Sequence, residues 1–371
     1  QEADGSWAGI QPPWVYSIIA LHAMGMPVDH PVIERALDGF STFTIRGNGR
    51  MRMQSCLSPV WDTALAAVAI DDTGTGGDDD ALARARDWLL AHEVTREGDW
   101  RRIARRGESG GWSFEFHNEV YPDTDDTAEV LIALLRAGVP RDDGAVRRGV
   151  EWLLAMQSAG GGWASFDVDN TSTLVAQFPV CDFGEVIDPP TEDVTSHVLE
   201  ALVECGVPTG HPAIRAGVAY LREAQRDDGS WWGRWGVNHV YGTGAVLPAL
   251  HACGVDMSEP WVRRAVDWLS SHQNADGGWG EDIESYRDPA LIGVGPSTAS
   301  QTAWALIGLM AADPGHPAIP DGIAWLVERQ EPDGSWEEDA FTGTGFPLDF
   351  MIKYHYYRLY FPVMALGRYT R

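Results

Sequence analysis

The chain has 371 residues, room for two ordinary domains or one large helical one. Its formal net charge of -27 excludes a nucleic-acid partner, which needs clustered Lys and Arg against phosphate. Composition is that of a packed globular protein, 44% hydrophobic and 22% charged, and no apolar run approaches the ~20 residues of a bilayer span.

From the N-terminus, a motif of Gln, three residues, Gly, a small residue and Trp opens the chain as QEADGSW at residues 1–7. A Gln-less relative, RGESGGW, follows at 106–112. Full copies return as QSAGGGW (157–163), QRDDGSW (225–231), QNADGGW (273–279) and QEPDGSW (330–336). Spacings of roughly fifty to seventy residues fit a helix pair plus loop and are too long for ankyrin or tetratricopeptide repeats. The segments leading into the motifs, VRRGVEWLLAMQ, AIRAGVAYLREAQ and WVRRAVDWLSSHQ, carry apolar residues at helical spacing with arginines opposite, predicting helices that face water on one side. The segments after them, DTAEVLIALLRAG, DVTSHVLEALVECG, TGAVLPALHACG and TASQTAWALIGLM, are apolar all round, predicting helices buried on every side. This alternation predicts two concentric rings, an all-α, α/α barrel (toroid), with Gly138, Gly206 and Gly254 as left-handed helix stops. The motif itself reads as scaffold: Gln satisfies backbone groups at a helix end, Gly permits the turn, and Trp packs.

Three acids, Asp123, Asp125 and Asp126, crowd the start of the first all-apolar helix. One aspartate there is an ordinary cap, suited to the positive end of the helix dipole. Three close carboxylates in a low-dielectric site cannot all ionise, so at least one keeps its proton and becomes a general acid. Further on, Asp182, Glu185, Asp188, Glu192 and Asp193 lead into a helix that carries His197 one turn beyond Asp193. An isolated histidine on such a helix is ordinarily a satisfied core residue; beside acids it can orient one carboxyl and tune it. Aromatic residues Trp61, Phe114, Phe116, Phe166, Phe183, Trp235, Tyr241, Phe346, Phe350, Tyr354 and Tyr357 fall at helix starts or in the loops before them. Most aromatics are core, but a ring face also stabilises a cation by roughly 0.5–2 kcal/mol, and several together become useful to a carbocation. The cysteines Cys56, Cys181, Cys205 and Cys253 show no paired CxxC spacing, so neither a zinc ribbon nor a disulfide framework is expected and a reducing setting is.

These residues resemble the squalene–hopene cyclases along essentially the whole chain. The resemblance is carried by AGIQPPW (8–14), SPVWDT (58–63), DTDDTA (123–128), CDFGEVIDPPTEDVTSHVLE (181–200), GRWGVNHVYGTGAV (233–246), RDPA (287–290), STASQTAWAL (297–306), FTGTGFPLDF (341–350) and the Gln–Trp repeats. It implies that Asp125 donates the initiating proton to squalene, that Asp123 and Asp126 flank it, that His197 supports it by hydrogen bonding and that Asp193 joins the network. It implies a cavity lined by Trp61, Phe114, Phe166, Phe183, Trp235, Phe346 and Phe350, with Tyr241, Tyr354 and Tyr357 near it and Gln11 and Pro12 at the far end. No metal and no cofactor are implied; the products are hopene and hopanol. Phe166 stands where the family usually has Tyr, and Val180 where it often has Phe, so the lining is altered. Residues 1–55 resemble the remnant of a preceding barrel and 56–371 the catalytic barrel. The expectation is therefore a segment cut from a longer protein and inactive alone. The family is implied to be monotopic, peripheral on the cytoplasmic face without a transmembrane helix, and to leave room for a homodimer. Thirty carbons at about 0.8 kcal/mol each keep squalene in the bilayer, and because net charge opposes anionic lipid, docking is expected through an apolar patch.

Other classes fit less of the sequence. A class II diterpene or other polyprenyl cyclase would use the same acids but wants basic residues and Mg²⁺ for a diphosphate, and oxidosqualene cyclases typically present a different acid motif. A protein prenyltransferase-like subunit would need zinc on Cys181, Asp182 and His197, an order that fits poorly. A non-enzymatic barrel has no use for Asp123, Asp125 and Asp126.

Overall fold

The computed structural model describes every residue except 48, 75–78, 105–106, 117, 119, 177–186 and 348. A small N-terminal unit comes first, with helices α1 (Gln11–Ala23) and α2 (Pro31–Gly39) followed by an antiparallel hairpin, β1 (Thr44–Gly47) and β2 (Arg50–Met53). Its own core is Trp14, Ala36 and Phe43, with Phe40 stacked on Trp14 at 4.2 Å. A backbone bridge from Ile10 to Cys56 joins it to the rest. Helix α1 is apolar along most of its length yet buries Pro12 and Trp14 only; Ile19 is 55% exposed and Met24, just past its end, 85%.

The remainder is the two-ring barrel that the alternation predicts. Helices α3 (Pro59–Asp72) and α4 (Asp79–Ala91) start it, then α5 (Thr124–Arg136) and α6 (Gly144–Ala155). After the single turn α7 (Thr173–Ala176) come α8 (Glu192–Glu204) and α9 (Pro212–Ala224), then α10 (His239–Ala252) and α11 (Pro260–Ser271). The last pair is α12 (Ala299–Ala312) and α13 (Ala318–Glu328), and a hairpin of β3 (Gly343–Phe346) and β4 (Phe350–Ile352) leads into α14 (Tyr357–Thr370). Helices α3, α5, α8, α10, α12 and α14 each pack on the next, and α14 returns to α3, closing an inner ring. Helices α4, α6, α9, α11 and α13 lie outside it. The periodicity named α5, α8, α10 and α12 as inner; α3 and α14 complete the closure. Gly138, Gly206 and Gly254 all have positive φ, as helix stops require.

The Gln–Trp motifs stitch the outer ring. Gln157, Gln225 and Gln273 each donate from Nε2 to the carbonyl of their own motif glycine, at 2.8 Å in every case. Each also donates to a carbonyl in the first turn of the next outer helix, Ala213, Trp261 and Ala318 respectively, at 2.8–2.9 Å. The Trp ring is buried and its N–H reaches a Leu carbonyl at the end of the preceding outer helix, as in Trp163 to Leu153 and Trp231 to Leu221, both 2.7 Å. Gly229 shows why glycine is needed: φ is +99°, and a Cβ would stand 2.7 Å from the Arg264 carbonyl oxygen.

Because each inner helix is followed by one running back outside it, the inner helices present their N-termini to one end of the barrel. That end collects the positive poles of their dipoles, and buried acids answer them. Glu281 accepts from the backbone of Val240 at 2.9 Å at the head of α10, and Glu338 from Ser300 at 2.8 Å at the head of α12.

Candidate active site

At this mouth lies a cavity of about 580 Å³ whose wall includes Asp123, Asp125, Asp126, Trp61, Phe114, Phe166, Trp235, Phe346, Tyr354 and Tyr357. The three aspartates are 5%, 5% and 2% exposed. Asp123 is the N-cap of α5, accepting from the backbone of Asp125 at 2.7 Å and of Asp126 at 3.2 Å, so the capping role falls to one acid of the three. Asp125 lines the cavity and meets α8, where His197 Nδ1 lies 2.6 Å from its Oδ1.

Burial, then the charge of Asp125, drives the Asp123 carboxyl well above its ordinary value. Burial, then Asp123 and Asp125, does the same to Asp126. For His197, burial pulls downward, but the charge and hydrogen bond of Asp125, with Glu129 and Asp193 behind them, override it and push the ring up to about 10. The cluster therefore stores protons at neutral pH, on His197 and on carboxyls that elsewhere would be ionised.

Asp193 sits at the head of α8 and binds both ways. Its Oδ1 accepts from Thr191 Oγ1 at 2.6 Å, and its Oδ2 accepts from the backbone of Arg234 and Trp235 at 2.7 and 2.9 Å. This fixes the loop that carries Trp235, whose indole N–H donates to Ser165 Oγ at 2.8 Å. The rings brace one another: Trp61 donates to the Tyr357 hydroxyl at 3.2 Å, Tyr354 stacks on Tyr357 at 4.4 Å, and Phe114 meets Tyr354 edge-on at 6.5 Å.

The family model for the squalene–hopene cyclase C-terminal domain matches residues 57–371, and that for the N-terminal domain matches residues 1–49. The chain belongs to the squalene–hopene cyclase family. It is 50% identical to the squalene–hopene cyclase of Alicyclobacillus acidocaldarius, covering 100% of this chain and 59% of that protein. It is 41% identical to the dammaradiene synthase of Dryopteris crassirhizoma, covering 100% of this chain and 58% of that protein. The chain thus spans about three-fifths of the length of these two relatives. The solved structure of the type II terpene cyclase MstE from Scytonema shares the fold, with a TM-score of 0.63 at 19% identity over 96% of this chain and 98% of that one.

In this squalene–hopene cyclase family barrel, several expected site residues lie off the main wall. Tyr241 and His197 line a second, smaller cavity of about 70 Å³ deeper in the barrel. Phe350 stands behind Phe346, 6.4 Å between rings, and the half-exposed Phe116 packs against Trp88. Pro12 reaches the wall, whereas the Gln11 side chain turns to the Gln54 carbonyl. Phe183, with Val180, Cys181, Asp182 and Glu185, lies outside the described residues.

The geometry also brings in residues the sequence reading passed over. Asp188, noted only as one of a run of acids, lines the cavity and accepts from the backbone of Phe166 and Asp167 at 2.7 and 2.9 Å. Glu129, one turn past Asp125 on α5, comes 4.0 Å from His197; burial raises it to about 7. Glu200 and Arg368 share the small cavity with it, and Arg368 pairs with Asp72 at 2.7 Å. The i+4 spacing from Asp125 was the available signal for Glu129. Glu115, 3% exposed, lines the main cavity from an aperiodic loop and carried no such signal.

Proposed function

We propose that this chain is the catalytic part of a class II triterpene cyclase that protonates squalene and directs its cationic cyclisation to the hopene and hopanol skeleton. The observation that carries the reading is the Asp125–His197 contact at 2.6 Å, buried at the head of α5 and facing a ring-lined cavity. An imidazolium that donates to one oxygen of a carboxyl stabilises the carboxylate left behind once the proton departs. In the reactive state the proton lies on Asp125, passed from the neighbouring carboxyls that burial keeps protonated. Asp125 hands it to a terminal double bond, the neighbouring carbon becomes a tertiary cation, and each following double bond attacks in turn. Trp61, Phe114, Phe166, Trp235 and Phe346 offer ring faces along the way, and their packing fixes the mould.

After turnover the acid must regain a proton. His197 leads from Asp125 to Glu129 and the small cavity with Glu200, which supports resupply from the barrel's interior side. Hopene as product rests on the 50% identical relative, and a bilayer as the source of squalene rests on the hydrocarbon's insolubility. Among the described residues no helix is long and apolar enough to cross a membrane.

The test is product analysis of the complete gene product with squalene and, separately, with geranylgeranyl diphosphate. Pentacyclic hydrocarbon from squalene, lost in Asp125→Asn, is the expected result. Cyclisation of the diphosphate alone would move the protein to the diterpene branch.

A further inference from the structure

A third cavity, of about 220 Å³, lies between β2 and the segment that follows β4. Cys56, Ile352 and Tyr354 line both it and the reaction cavity, so the two are neighbours. Its lining includes three basic side chains, Arg52, Lys353 and His355, and three apolar ones, Met53, Phe341 and Tyr356, which are 47%, 47% and 51% exposed. Arg52 is exposed and has no carboxylate within ion-pair distance among the described residues; its guanidinium meets the His355 ring at 2.5 Å instead. Lys353, the one lysine of the 371 residues, pairs at 3.1 Å with Asp339, a fully exposed partner that is readily exchanged. Burial, then the charges of Arg52, Arg358 and Lys353, holds the His355 ring below its ordinary value, and all three charges are positive. Among the described residues the lining holds one acid, Asp62, whose oxygens accept from Ser58 and Tyr360. The net charge of -27 does not cancel this patch, because charges beyond about 8 Å are largely screened at physiological salt.

We propose that this pocket docks the chain on anionic lipid, with a phosphodiester headgroup on Arg52 and Lys353 and with Met53, Phe341 and Tyr356 entering the interface around it. Arg52 offers a forked donor to two phosphate oxygens, and Lys353 adds a point charge. Cations set among exposed apolar side chains suit the junction of headgroups and acyl chains, whereas free phosphate would use the cations alone. This inference rests on the cyclase reading only for the bilayer as source of substrate, and vesicle binding is measured without turnover.

The complete gene product is sedimented with vesicles of phosphatidylcholine, alone or with about 30% phosphatidylglycerol, as wild type, as the double variant Arg52→Gln/Lys353→Gln and as Arg52→Lys. The expected result is tighter partition of wild type onto the anionic vesicles, a fall of about tenfold or more in the double variant, and a value near wild type for Arg52→Lys. Acylation of Lys353 by an amine reagent, followed on its own peptide, should be blocked by the anionic vesicles and not by phosphatidylcholine or inorganic phosphate. Equal partition of wild type onto both vesicles, or a double variant within about twofold of wild type on the anionic ones, would overturn the proposal. So would a Lys353 that resists acylation before lipid is added, since another part of the protein then covers the pocket. Protection by inorganic phosphate equal to that by vesicles would overturn it too, making the ligand a free anion. Turnover of squalene in detergent micelles should be equal in wild type and the double variant. Its loss in the double variant alone marks a structural role and overturns the proposal; its absence from both counts against the cyclase reading and leaves lipid docking to the vesicle results.

Discussion

Asp125 and His197 meet because α5 and α8 are neighbours in the inner ring, each offering its polar first turns to the axis. Replacing Asp125 by Asn keeps the shape and removes the transferable proton, so turnover should fall by roughly 10³ or more. His197→Gln keeps a donor without charge and should be the milder of the two, a difference that steady-state rates with squalene will show. Glu129 makes a separate prediction about stability. Burial raises it from 4.5 to about 7, so the folded state binds its proton more tightly than the unfolded chain does. Its contribution is complete below the unfolded value and is lost as pH rises through about 7. Melting curves of wild type should therefore drop between pH 5 and pH 8, and Glu129→Gln should recover about 2–3 kcal/mol of that drop. Equal slopes in the two proteins would contradict the assignment.

The elements were the most legible part of the sequence, because the Gln–Trp motif repeats and marks every turn from an outer helix back to an inner one. Gly229→Ala should cost about 2 kcal/mol or more, since it adds a clash to a positive-φ position. Gln225→Ala, which frees two carbonyls at the Gly229 and Trp261 positions, should cost about 1–2 kcal/mol. Both are read as shifts in denaturant midpoint, with product identity unchanged. The D-x-D-D acids were legible for a related reason: three like charges ahead of an apolar helix contradict the local pattern. Gln11 was not, since its partner is a carbonyl 43 positions away and nothing in AGIQPPW announces that contact. Glu115 and Asp188 escaped because their meaning comes from the wall they reach. Asp193 was seen as one of the acids, but its hold on the Trp235 loop needs the fold.

Across the whole molecule, the inner-ring N-termini at one mouth explain both where the acids gather and why the cavity opens there. One side of that opening is formed by the N-terminal unit, where Tyr16 lines the cavity while 48% exposed and α1 with its C-cap leaves Ile19 and Met24 in solvent. A carbocation survives only where water is excluded. The 371-residue chain expressed by itself should accordingly turn squalene over at less than roughly one-hundredth of the rate of the complete gene product; comparable rates would show that this mouth is closed enough already. The central claim is that a proton from the Asp125–His197 pair starts the cascade, and turnover in D₂O tests it most directly. The account predicts one non-exchangeable deuterium per cyclised product molecule and a yield from Asp125→Asn lower by roughly 10³ or more. Cyclised product free of deuterium, or an undiminished yield from that variant, would contradict it.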